Sequence, residues 1–118
     1  MDIHIDPASP VAPYDQVRQR IAALAADGTL AAGTRLPPVR TLAATLNLAA
    51  NTVARAYREL ESAGLVETRG RLGTVITARA SGTSVQAQQA AESYAATTRA
   101  LGLPPEQALA LVRAALSL

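Results

Sequence analysis

Between Asp15 and about Ala26, the apolar side chains Val17, Ile21, Leu24 and Ala25 recur every three or four residues, the spacing that lines one face of an α-helix. Tyr14 stands at the entrance of this helix and Asp27-Gly28 at its stop. A turn and the pair Pro37-Pro38 precede a second, shorter stripe of Val39, Leu42, Ala43 and Leu46. Proline suits a helix start because the N–H it lacks would be unpaired there anyway. Asn47 follows, one of the few residues besides glycine that tolerates a left-handed backbone. A sharp turn is expected there, into a third helix that runs to about Ala63 and stops at Gly64. "LVETRGRLGTVITA" then holds two strand candidates, about 65–69 and 73–78, around a turn with Gly70 and Gly73. Near the N-terminus, Ile3 and Ile5 alternate with polar neighbours and predict a short strand, after which Pro7, Pro10 and Pro13 break regular structure.

The pattern changes after Ala80. "SGTSVQAQQ", residues 81–89, is low in charge and in bulky apolar side chains, and its first half reads as a linker. Two helices are expected beyond it, one ending at Leu101 before Gly102, the other beginning at Pro104-Pro105-Glu106. The predicted organisation is therefore a first domain over 1–80 and a two-helix tail over 81–118.

Helix, helix, short turn, helix and two-stranded hairpin is the order of a winged helix-turn-helix, whose third helix enters the major groove of DNA. The fold class expected is mainly α with a small antiparallel β-wing, followed by a C-terminal helical hairpin. At about 100° per residue, Val53, Tyr57 and Leu60 fall on one side of the third helix, and Asn51, Arg55, Arg58 and Ser62 on the other. Arginine and asparagine are the side chains that make paired hydrogen bonds to guanine and adenine edges. The competing account of that face is an ordinary solvated surface, with Arg55 paired to Glu59 four residues on.

Charge separates these accounts. The net charge of the 118 residues is only +2, but residues 1–34 sum to −2, residues 35–79 to +4 and the remainder to zero. The basic charge sits in the middle, as a polyanion partner requires. Arg69 and Arg71 flank Gly70 at the tip of the predicted wing, where a packing role is unexpected and contact with a groove or a phosphate is natural. Arg35 and Arg40 lie just before and inside the second helix, where the first helix of the motif approaches the DNA backbone. Every cation is arginine.

Other chemistries have little to build on. There is no cysteine, and His4 is the sole histidine, so no enzyme activity, metal or cofactor is expected. No apolar run is long enough to span a membrane, and the start "MDIHIDPASP" lacks the features of a signal peptide. A cytoplasmic location is expected.

"PYDQVRQRIAALAADGTLAAGTRLPPVRTLAATLNLAANTVARAYRELESAGLVETRGRLGTVI" resembles the DNA-binding domain of the GntR family of bacterial transcription regulators. The resemblance covers about residues 2–78. Its most specific stretches are "GTRLPPVRTLA", "NTVARAYRELE" and "GLVETRGRLGT". The short tail resembles the YtrA branch, whose members are dimeric repressors. The resemblance implies that Arg40, the start of the third helix and the wing contact operator DNA. Many members carry Ser-Arg, and the YtrA branch often Asn-Pro, where this chain has Ala49-Ala50, and an arginine of some larger members aligns with Ala54. The residues by themselves leave Asn51 open as a helix cap or a DNA contact. The alignment starts the helix near Ala49 or Ala50. Asn51 and Thr52 then fall in its first turn, beside free N–H groups suited to a phosphate, and Asn51 is taken as a DNA contact.

On the last helix Ala108, Leu109, Val112, Ala115 and Leu116 form one side, extended by Leu111 and Leu118. This is wider than a single partner helix covers. Two such short helices are not expected to enclose a pocket of a few hundred Å³ within one chain. The expected assembly is a homodimer through residues 86–118 that presents two winged helices to an inverted-repeat, double-stranded operator. No residue identifies a small-molecule effector. The rival function is a winged helix that binds another protein without reading DNA.

Overall fold

A computed structural model describes residues 1–82 and 85–118. The chain divides into two units, the first ending at Thr83 and the second starting at Ser84. The first holds α1 (Pro13–Ala26), α2 (Val39–Leu46), α3 (Ala50–Ser62), β1 (Val66–Thr68), β2 (Thr74–Ile76) and a short α4 (Ala78–Ser81). The second holds α5 (Val85–Ala100) and α6 (Pro105–Ala115). Among the described residues, no helix is long and apolar enough to cross a membrane.

The helices follow their apolar stripes. Val17, Ile21, Leu24 and Ala25 of α1 are buried, as are Leu42 and Ala43 of α2 and Val53, Ala56, Tyr57 and Leu60 of α3. Both α1 and α2 pack on α3. α1 begins two residues before Asp15, since Pro13 is accepted in a first turn, and this brings Tyr14 into the helix. Asn47 has the left-handed backbone the turn requires (φ 56°, ψ 45°), and the Leu48 N–H closes α2 by donating to the Ala43 carbonyl at 2.9 Å. Gly64, at φ +76°, ends α3 in the same way, and the next N–H, of Leu65, donates to the Leu60 carbonyl at 2.9 Å. The buried Tyr57 hydroxyl donates to the Pro37 carbonyl at 2.7 Å, which ties α3 to the entrance of α2. Burial pushes this phenol up to about 12.

The predicted strand at Ile3 and Ile5 does not form. Residues 1–6 adopt no regular secondary structure and pair with no strand. Ile3 is buried and Ile5 packs on the same core, so the alternation correctly marked the buried face. A strand also needs a neighbouring backbone, and here α1 side chains take its place. Gln16 accepts the Asp6 N–H at 2.8 Å and donates to the carbonyls of Asp6 and Val11, while Arg20 donates to the Asp2 carbonyl at 3.2 Å.

In the wing, β1 and β2 are antiparallel, with Val66 opposite Ile76 and Thr68 opposite Thr74. Both strands are shorter than expected because residues Gly70–Leu72 wind into a 3₁₀ turn and α4 begins at Ala78. Residues 33–36 flank the outer edge of β2, a pairing the sequence pattern missed. Arg35 bridges Val75, and hydrogen bonds run from Leu36 N to Thr74 O, Ile76 N to Thr34 O and Gly33 N to Ile76 O, at 2.8, 2.9 and 2.8 Å. The Thr77 hydroxyl donates to the Gly64 carbonyl at 2.7 Å and accepts the Ala80 N–H at 3.2 Å, joining the end of α3 to the unpredicted α4. Of the linker expected from Ser81 onward, Thr83 and Ser84 lie outside the described residues. Ser81 is helical and α5 starts at Val85.

In the second unit α5 packs on α6. The Tyr94 hydroxyl donates to the Ala108 carbonyl at 2.7 Å, and the buried Thr98 hydroxyl donates to the Tyr94 carbonyl at 2.9 Å. Between the helices lies an open apolar groove of about 380 Å³, lined among others by Tyr94, Leu103, Leu109 and Val112. A space of a few hundred Å³ is thus present, but as an open groove that the two helices do not enclose.

Ala49 caps α3 without a side-chain acceptor, so Ala49→Ser is expected to stabilise the first unit by about 1 kcal/mol. Thermal unfolding measures it as a rise of several degrees. Tyr57→Phe is expected to cost about 1 kcal/mol at neutral pH by loss of the hydrogen bond to Pro37. The tyrosine is protonated in both folded and unfolded chains below its ordinary value of 10, so its contribution is complete there. It is lost as pH rises from about 10 to 12, where only the unfolded chain ionises. With no lysine in the chain, denaturant unfolding across that range reads the tyrosines, and the Phe variant should show a shallower alkaline decline.

Candidate nucleic-acid interface

The stripe that α3 buries leaves Asn51, Arg55, Arg58 and Ser62 exposed on its other side. The wheel drawn from sequence is thus the arrangement in space. At the N-terminus of this face, Ala49 is the capping position and its backbone is extended (φ −67°, ψ 145°). Its carbonyl accepts the N–H of Thr52 at 3.0 Å and of Val53 at 3.5 Å. Asn51 is therefore inside the first turn and is not the cap. No side chain caps this end, which leaves it with the positive partial charge and outward N–H groups of a bare helix start. Thr52, beside Asn51, is half-buried.

Arg55 does not pair with Glu59. Its Cζ lies 3.6 Å from the centroid of the Tyr14 ring, supplied by α1. Arg58 and, on α2, Arg40 are exposed. Among the described residues Arg18 pairs with Asp15 and Arg69 with Glu67, and the His4 Nε2 lies 3.0 Å from the Asp2 carboxylate. Arg35, Arg40, Arg55, Arg58 and Arg71 carry their charge outside any of these.

The wing arginines divide. Arg71, in the 3₁₀ turn, is exposed beside Leu72, an apolar side chain 58% exposed at the tip. Arg69 stands at the base of that turn, where its Nε meets the Glu67 carboxylate at 2.5 Å. The expectation that Arg69 has no structural role is therefore corrected, since the side chain is half-buried and held by a wing carboxylate. Arg35 is corrected in place. Its backbone bridges Val75, and a Cβ on Gly73 would lie 3.6 Å from its Nε. It belongs to the base of the wing, while Arg40 alone represents α2. Gly73 sits at φ +73° beside that guanidinium, so a side chain there would be strained in backbone, although a Cβ would make only ordinary contact with Arg35.

Two contributors escaped the sequence pattern. Tyr14 read as the entrance of a helix, and only its meeting with Arg55 gives it a place at this surface. Leu72 falls in the turn between the two predicted strands, where the pattern gave it no role, and the 3₁₀ turn leaves it 58% exposed.

Residues 13–76 match the family model described as bacterial regulatory proteins, gntR family. The chain is 52% identical over 96 residues to the HTH-type transcriptional regulator Rv1152 of Mycobacterium tuberculosis, covering 81% of this chain and 78% of that protein. It is 44% identical over 85 residues to the HTH-type transcriptional repressor YtrA of Bacillus subtilis, covering 71% and 65%. Among solved structures, YtrA from Sulfolobus acidocaldarius, a GntR-family transcription factor, superposes with a TM-score of 0.62 at 30% identity, over 85% of this chain and 97% of that one. The family model spans more than half of the chain, on the same elements that build the exposed face of α3 and the wing. This chain therefore belongs to the GntR family of bacterial regulatory proteins and is a DNA-binding transcription regulator of winged helix-turn-helix fold.

Proposed function

We propose that this regulator is a cytoplasmic, homodimeric repressor whose two winged helices bind an inverted-repeat operator in double-stranded DNA. The observation that carries the reading is the exposed face of α3, where Asn51, Arg55 and Arg58 stand opposite a fully packed stripe. In this reading α3 enters the major groove, and Arg55 and Arg58 meet base edges. Asn51 and Thr52 sit where the bare helix start meets a phosphate. Arg40 contacts the backbone from α2. Arg35 and Arg71, with Arg69 held by Glu67, follow the adjacent groove or its phosphates from the wing. The name of the Bacillus subtilis relative supports repression.

The tail, residues 86–118, supplies the dimer. Leu101, Leu109, Leu111, Leu116 and Leu118 are all more than half exposed, and covering the exposed part of each with a second copy is worth roughly 1–2 kcal/mol, in proportion to the area removed from water. Such a twofold interface matches the twofold symmetry of an inverted-repeat operator.

Selection from a library of duplexes with a randomised core should enrich an inverted repeat, and binding to it should weaken steeply as salt rises. A winged helix used only for protein contacts would enrich no motif. The double variant Arg55→Ala with Arg58→Ala should lose about 1–3 kcal/mol for each arginine that meets a base edge, with the motif's preference lost. Retention of full preference would refute this recognition face. The double variant Leu109→Glu with Leu116→Glu should sediment as a monomer, and an unchanged dimer would sink the tail assignment.

A further inference from the structure

Tyr14 and Arg55 belong to different helices and meet because α1 packs on α3. The distance of 3.6 Å from the Arg55 Cζ to the Tyr14 centroid decides how the guanidinium lies. Approached edge-on, one of its nitrogens would stand about 1.3 Å closer to the ring, the length of a C–N bond with partial double-bond character. That is well inside the ~3.5 Å at which such atoms touch. The guanidinium therefore lies nearly flat on the ring. A flat stack occupies only the face of the cation. Its N–H donors point outward in its own plane and stay open to an acceptor on the far side.

An arginine free in water surrenders much of its rotamer freedom when it fixes on a base edge. The stack on Tyr14 incurs that loss in the unbound protein. Arg55 is exposed, and among the described residues it forms no ion pair, so the aromatic ring is the group that orients it. Ala49, Ala50 and Ala54 around it provide neither a cap nor a second cation.

We infer that Tyr14 is a positioning residue for DNA sequence recognition, holding the Arg55 guanidinium flat so that its edge is presented to a base. This rests on the reading of α3 as the recognition helix. Tyr14 itself touches no base in this role. Its effect passes through Arg55.

The test uses the full chain and the duplex motif that the unaltered protein selects from the randomised library, with each base pair of that motif changed in turn. Tyr14→Phe keeps the ring and should bind as the unaltered protein does. Tyr14→Leu should bind about twofold to fivefold more weakly, the range of an exposed cation–π contact. It should also lose discrimination at the same base pair that Arg55→Ala ceases to read. In the Arg55→Ala background, Tyr14→Leu should add nothing. A purely structural tyrosine would instead weaken every duplex alike and keep its effect without Arg55. Either that result, or Tyr14→Leu binding as tightly as the unaltered protein or more so, overturns the inference. If Arg55→Ala loses its base preference while Tyr14→Leu does not, this inference alone falls. If Arg55→Ala changes no preference, the reading of α3 falls and takes this inference with it.

Discussion

The packing of Val53, Ala56, Tyr57 and Leu60 against α1 and α2 sets both the depth and the rotation of α3. Each large apolar side chain withdrawn from water contributes roughly 1.5–3 kcal/mol, so turning the helix even a quarter-turn would sacrifice several of these contacts. The Tyr57 hydroxyl on the Pro37 carbonyl adds a directional bond to that non-directional burial. Because the stripe is held, the residues on the far side of the helix are held with it. Rigid presentation of Asn51, Arg55 and Arg58 is thus a consequence of core packing. A recognition surface on a helix needs such support to keep side chains within reach of base edges.

The wing depends on a different constraint. A two-stranded hairpin of three residues a side is marginal in water, and the pairing of residues 33–36 along β2 anchors this one to the body of the domain. Val66 and Ile76, opposite one another in the ladder, point into the core and are nearly fully buried. The same pairing carries Arg35 from the approach to α2 onto the wing. It therefore places a cation next to Gly73 and sets the direction in which Arg71 and Leu72 project. Arg69, drawn to Glu67, belongs to the structure of the wing as much as to its surface.

The tail is built on a different balance. Its internal contacts, Tyr94 to Ala108 and the buried Thr98, are few, and the large leucines lie mostly outside them. A helical hairpin of this length buries too little apolar surface to be strongly stable by itself. Its apolar exterior is the physical reason for the proposal that it serves assembly.

Much of this was legible in the chain. The ends of α2 and α3 were marked by Asn47 and Gly64, because a left-handed backbone is a local demand that few residues meet. The buried and exposed faces of α3 followed from period alone, because rotation about a helix is a property of spacing. The start of α3 near Ala49 followed from the family resemblance, since the residues by themselves left Asn51 open as the cap. What only the tertiary structure decided were the meetings of groups distant in sequence. Ile3 and Ile5 carry a strand's pattern yet find α1 side chains where a strand would need backbone. Arg35 precedes α2 in sequence but lies on the wing. Arg55, with Glu59 one helical turn along, stacks on Tyr14 from another helix. Local propensity determines where an element starts, stops and turns its apolar face. Which partner an exposed side chain finds depends on how elements pack across the fold, and no single stretch of sequence carries that information.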